Sequence, residues 1–372
     1  MEKKTRESNF ELMRIISMFM IVLWHVIIHG RLLGSSTGLT NLIYNLLLCV
    51  FIVHVNSFIL ASGYFQSGSG HNFSLKKFLK LFGLQWFYRA VIAIILYSFN
   101  IVTMSYVELI NEVLPIGSAN YWFINCYLVL YLLSPFLNKL ISALNQVEYR
   151  KLLLISFLLF SIISYVTNNS MVSNNGYTII QFCFLYLIGA YFKRFPVRKN
   201  YHFKNFSREK CQLIFLSIFI FCFFLNFTLY LASIQLGTYT NKYIQQIASY
   251  IASSQYNYST PIAIIQSISY FLYFETLNLK SNFINKVASI ILGIYLIHDN
   301  MYIRTFLYKL IRIDTGKPQE LSSLLWMLGA GAVIFLSCLL IELLRSKLTK
   351  IINNFKTIKK SKERFYGYID RI

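Results

Sequence analysis

The chain has 372 residues, of which 56% are apolar and only 13% charged, and its mean hydropathy is +0.54. No soluble domain of this length carries such a composition, which is that of a polytopic membrane protein. The formal charge of +21 would suit nucleic acid, but the bases fall in alternate loops. That pattern points to a cytoplasmic membrane face on anionic lipid and away from nucleic acid.

About ten segments are long enough to span a hydrocarbon core, near residues 10–29, 41–63, 82–103, 121–141, 152–167, 177–193, 212–234, 259–278, 287–307 and 323–344. The expected fold is all-α: a polytopic bundle of transmembrane helices. The first segment, FELMRIISMFMIVLWHVIIHG, is too long for a cleavable signal and has no small-residue cleavage site. It also contains Arg14 and His25. Eleven positions of helix make about 1,100° of rotation, so the two share a face, roughly 16 Å apart along the axis. Charged or titratable side chains in a membrane helix are costly and by default mark function. The structural alternative is a snorkelling arginine and a histidine bonded to a neighbouring helix.

The second segment contains His54 and Asn56, then Ser62-Gly63-Tyr64, where small residues alone would be explained by close helix approach. The third holds Gln85, Trp86 and Arg89, the arginine about two turns beyond Lys76–Lys80, an awkward snorkelling distance. The fourth opens on Tyr121-Trp122-Phe123, which fits an interfacial aromatic belt, and contains Asn125 and a Ser134-Pro135 step expected to kink it. The ninth reads GIYLIHDNMYIR, with His298, Asp299, Asn300 and Arg304. As a continuous helix it puts His298 roughly 16 Å from its start, at a depth similar to His25. Two imidazoles there suit proton transfer, whereas a purely structural reading makes them part of a network locking two helices.

Bases cluster at Lys3, Lys4 and Arg6, at Lys76–Lys80, at Lys139, Arg150 and Lys151, from Lys193 to Lys210, and after Leu344. The connections 105–119, 168–176 and 235–258 are base-poor. An even number of spans in the plasma membrane with both termini cytoplasmic satisfies this alternation. Residues 1–344 read as one transmembrane domain without internal repeat, and 345–372 as a basic cytoplasmic tail whose 345–364 stretch lies as a helix on anionic lipid. The six cysteines include no CxxC pair and read as packed free thiols. No HExxH, Gly-rich phosphate loop or GxSxG elbow is present, and no metal is expected.

Five stretches occur in one order along nearly the whole chain: NFELMRIISMFMIVLWH, VNSFILASGYF, YWFINCYLVLYLLSPFLN, FLYLIGAYFKR and ILGIYLIHDNMYIR. Together they resemble the membrane-bound acyltransferase-3 family. The stand-alone type is the most similar, since the length leaves no room for the SGNH hydrolase-like domain of longer members. The resemblance implies transfer of an acyl group, usually acetyl, from cytoplasmic acetyl-CoA to a hydroxyl of an extracytoplasmic glycan. Within it, Arg14 and the neighbouring bases would bind the CoA phosphates, with Ser62, Gly63 and Arg89 on the donor side. His25 would be general base on the acceptor hydroxyl or, alternatively, carry the acyl group. His298, Asp299 and Asn300 would orient His25, stabilise the oxyanion or relay the proton, and Tyr121 and Trp122 would shape the acceptor mouth. The rival classes are a transporter or flippase of a lipid-linked glycan, and a membrane scaffold.

Overall fold

The computed structural model describes residues 6–68, 73–113, 121–167, 174–199, 203–311 and 322–354. They form a helical membrane bundle, with no strand among the described residues. In chain order the helices are α1 Ser8–His29, α2 Leu32–Ser35, α3 Gly38–Phe51, α4 Val53–Gln66, α5 Leu75–Ser98, α6 Tyr106–Val113, α7 Trp122–Ala143 and α8 Gln146–Val166. They continue as α9 Ile179–Arg194, α10 Arg208–Leu236, α11 Lys242–Ser254, α12 Pro261–Thr276, α13 Asn282–Ala288, α14 Ile291–His298, α15 Met301–Ile311 and α16 Ser322–Asn354.

Seven helical runs among the described residues are long and apolar enough to cross a membrane: α1, α3–α4 taken together, α5, α7, α8, α10 and α16. Of the other three expected segments, two fold as the 16-residue helices α9 and α12. The third differs more. Instead of one continuous helix, the 287–307 segment is broken at Ser289–Ile290 and again at Asp299–Asn300, giving α13, α14 and α15. Two connections read as loops also contain helices, α6 and α11. Their amphipathic patterns leave Tyr106, Val107, Tyr243 and Ile247 on outer faces. The last helix passes the expected boundary at Leu344 without interruption and reaches Asn354, so the first part of the basic tail extends the span; 355–372 lie outside the described residues.

The outer surface is apolar, as lipid contact requires: Leu213 and Phe221 on α10 and Val333, Leu336, Leu340 and Leu344 on α16 are all more than half exposed. Polar groups point inward and join helices. Asn56 Nδ2 donates to Tyr258 O at 2.9 Å, Gln266 Nε2 to Cys49 O at 3.0 Å, and the Ser17 and Ser57 hydroxyls lie 2.8 Å apart. The Pro135 ring removes the N–H that would bond Tyr131 O; the Ser134 hydroxyl takes that carbonyl at 2.8 Å, and α7 continues through the proline.

Helices α4 and α9 cross in close contact. A Cβ on Gly63 would stand 2.0 Å from Tyr186 O, and one on Gly189 2.0 Å from Leu60 O. The basic ends of the helices meet at one end of the bundle. There Asn9 Nδ2 donates to Phe274 O at 2.9 Å, Asn138 Nδ2 to Gln66 O at 2.8 Å, Gln212 Nε2 to Thr276 O at 3.2 Å, and Arg194 to Ile141 O. The opposite end is tied by Tyr44–Ser323 at 2.7 Å and Gln255–Asn45 at 3.0 Å. All six cysteines are free.

Candidate active site

A cavity of about 450 Å³ runs along α1 from Arg6 and Arg14 at the basic end to His25, His29 and Arg304 toward the other. Helix α1 supplies most of one wall because Arg14, Met18, Ile21, His25 and Ile28 recur every three to four residues. At the basic end the buried carboxylate of Glu11 gathers two cations. Arg14 Nη1 lies 3.4 Å from both of its oxygens and Arg6 Nη1 3.4 Å from one. The Arg14 guanidinium also sits 5.8 Å from the Phe65 ring centroid, which fixes it at the cavity mouth.

His25 meets the broken helix. Its Nδ1 is 3.1 Å from His298 Nε2 and 3.6 Å from Asp299 Oδ1. His298 Nδ1 lies 2.6 Å from Ile294 O, and a carbonyl can only accept, so Nδ1 of His298 carries the proton. In the neutral pair His298 Nε2 must then accept from His25 Nδ1–H. The network therefore assigns the tautomer of His25 and leaves its Nε2 with a lone pair, the arrangement of an oriented general base. Asp299 stands beside the imidazolium that forms when Nε2 takes a proton. Arg304 Nη1, 3.4 Å from Asp299 Oδ1, neutralises the carboxylate in the resting state.

The break that presents these groups is built from the surrounding side chains. Asn300 caps α15, its Oδ1 accepting from Tyr302 N at 3.1 Å and Ile303 N at 3.4 Å. The Tyr121 hydroxyl donates to Leu296 O at 2.6 Å, satisfying one of the last carbonyls of α14, and accepts from Asn300 Nδ2 at 2.8 Å. Tyr121 itself has φ 62°, a left-handed conformation that a non-glycine residue adopts at a cost of about 1–2 kcal/mol. The two hydrogen bonds of its hydroxyl hold it there.

The expected site residues thus separate into groups. Arg14, His25, Ser62, Trp122 and Asp299 line the cavity, and fully buried His298 stands behind His25. Tyr121 and Asn300 shape the helix break. Gly63 is used in the α4–α9 crossing. Arg89 is absent from the cavity wall. It is 1% exposed and turned toward α6, with Nε 2.8 Å from Glu112 Oε2 and Nη2 2.7 Å from Asn111 O. It does not snorkel toward Lys76–Lys80, because a buried carboxylate offers its guanidinium a nearer partner.

Several groups were not singled out from the sequence: Glu11, which pairs the two arginines at the mouth, and in the lining His29 and an aromatic wall of Trp24, Tyr177 and Tyr258 beside Trp122. The Trp122 ring lies 4.4 Å from Tyr177 and is stacked 6.2 Å from Tyr258. Apart from the cavity, Glu342 is buried, accepts from Tyr88 OH, and is bridged by Arg345 at 2.6 Å to each oxygen. Its signal was a carboxylate inside an apolar segment with an arginine three residues on.

His25, His29 and Asp299 offer ligand atoms within 4.8 Å of one another, near enough to hold a divalent cation. As arranged, Asp299 is instead paired with Arg304 and His25 with His298, the pattern of a proton relay.

No curated protein and no solved structure matches the chain. A family model described as an acyltransferase domain matches residues 7–343, a span that contains all of the cavity lining but Arg6, both halves of the broken helix and the His25–His298 pair. The chain is therefore a membrane acyltransferase and belongs to the acyltransferase-3 family.

Proposed function

We propose that this acyltransferase moves an acetyl group from acetyl-CoA, bound at the basic end of the bundle, to a hydroxyl of a surface polysaccharide or lipid-linked glycan on the other side of the plasma membrane. The basic end faces the cytoplasm by the positive-inside rule. Arg14 and Arg6 receive the CoA phosphates at the cavity mouth, and the acyl arm extends along α1 toward His25. Ser62 lines that path, and Trp122 belongs to the aromatic wall against which a sugar face stacks.

His25 Nε2 takes the proton of the acceptor hydroxyl as its oxygen attacks the thioester carbonyl carbon. The C–O bond forms while the carbonyl π pair moves to oxygen. Collapse of that intermediate re-forms the carbonyl and breaks the C–S bond, and the departing thiolate recovers the proton from His25. His298 holds the imidazole in the required tautomer, and Asp299 balances its transient positive charge. No residue need be acylated.

The observation that carries this reading is a single cavity with guanidinia at one end and an oriented imidazole pair toward the other. Mass spectrometry of surface glycans from cells carrying wild-type protein, the His25→Ala variant or no protein tests it. The expected result is one acetyl per repeat in the wild type alone. Equal acetyl content in all three, with different amounts of surface glycan, would overturn the acetyl-transfer reading in favour of glycan transport.

A further inference from the structure

The reaction needs a hydrogen-bond donor for the carbonyl oxygen that becomes negative in the tetrahedral intermediate, and the groups at the helix break beside His25 are already committed. Both nitrogens of His298 are occupied, by Ile294 O and by His25. Asn300 spends its amide on Tyr121 and its carbonyl on the α15 cap. The Tyr121 hydroxyl gives its proton to Leu296 O.

A further imidazole in the cavity wall has donor capacity to spare. His54, on α4 beside α1, is 1% exposed, and neither of its ring nitrogens has a hydrogen-bond partner among the described residues. Leaving a buried polar group unpaired costs about 1–3 kcal/mol. Its ring is nevertheless held firmly, edge-on to Trp24 at 5.2 Å and 5.5 Å from Tyr258. Trp24 directly precedes His25 in the chain. Tyr258 is itself positioned by Asn56, two residues from His54 on the same helix. The fold thus packs a histidine between Trp24 and Tyr258 in the cavity wall with both ring nitrogens buried and unpartnered.

We propose that His54 is a third catalytic histidine, whose ring N–H donates to the acyl carbonyl oxygen and stabilises the oxyanion. The assignment rests on the acyl-transfer reading of His25. During attack the N–H bond of His54 stays intact. The proton that moves is the acceptor's, to His25 and on to the thiolate, so the two histidines have separate duties.

The test compares wild-type protein with His54→Phe, which keeps a ring for Trp24 and Tyr258 to pack on, and with His54→Asn, which restores a donor. Membranes containing each protein receive radiolabelled acetyl-CoA, label in the glycan fraction is followed, and folded yield is checked by detergent gel filtration. His54→Phe is expected to lower the maximal rate by about 10²–10³-fold, the usual effect of losing one oxyanion donor, at unchanged half-saturating acetyl-CoA. His54→Asn is expected to recover at least about tenfold of that loss. A folded His54→Phe protein with the wild-type maximal rate, or one altered only in half-saturation, overturns the proposal. So does a His54→Asn protein no faster than His54→Phe. If wild-type membranes place no label in glycan while acetyl-CoA binding persists, the acetyl-transfer reading itself fails, a result distinct from any of these.

Discussion

His25 and His298 are 273 positions apart, and each gives the other its chemical state. Alone, either neutral imidazole can adopt two tautomers; the Ile294 carbonyl selects one for His298, and that choice selects one for His25. The expected consequence is that His298→Ala loses activity without losing the nucleophile-activating group. The rate of glycan acetylation should fall by about 10²–10³-fold, close to the range for loss of a general base, while the protein still elutes as a folded species. An active His298→Ala protein would mean that His25 is oriented by some other contact. The candidate residues themselves were legible because lipid makes polar groups conspicuous: Arg14, His25, His298 and Asp299 stand out in otherwise apolar text. Tyr258, Tyr177 and Trp24 were not legible, since an aromatic residue lining a cavity looks the same in sequence as one facing lipid or packed in a core.

Among the helices, the break at Asp299–Asn300 matters most to the site. Sequence reasoning drew 287–307 as one span because its hydropathy is continuous, and hydropathy has no term for where helical hydrogen bonding stops. The stop is decided by Tyr121 on α7 and by the cap from Asn300, contacts between segments far apart in the chain. Arg89 shows the same limitation. Its proximity to Lys76–Lys80 was visible along one helix, but its partner Glu112 lies on α6, in what reads as a loop. That pairing makes a prediction: Arg89→Ala removes the guanidinium bound to the buried Glu112 carboxylate and should destabilise the bundle by about 3–5 kcal/mol. Thermal unfolding in detergent should show the loss, with Arg89→Ala, Glu112→Gln recovering part of it. A stable Arg89→Ala protein with raised half-saturating acetyl-CoA would instead put Arg89 in donor binding.

For the whole molecule, the telling property is that one cavity is continuous from the basic end to the histidines, so the proposed mechanism puts binding and chemistry at different depths of one path. Arg14 belongs to the entry. Arg14→Ala should raise half-saturating acetyl-CoA about tenfold or more, equivalent to about 1.4 kcal/mol of lost charge-assisted contact, and lower the maximal rate much less. Label incorporation measured across a range of acetyl-CoA concentrations separates the two effects. A fall in maximal rate alone would place Arg14 nearer the reacting atoms. The sequence by itself determined that the chain is a helical membrane bundle, which ends of its helices are basic, and that Arg14 and His25 share one face of the first helix. Those properties follow from local hydropathy, loop charge and helical period, each readable within about twenty residues. Only the tertiary structure decided that His298 meets His25, that Arg89 turns to Glu112, that the ninth segment breaks, and that His54 is left unpaired beside the cavity. Each of those depends on which helices are neighbours, and in lipid that choice is made by small residues and buried hydrogen bonds between distant segments, which no pattern along the chain displays.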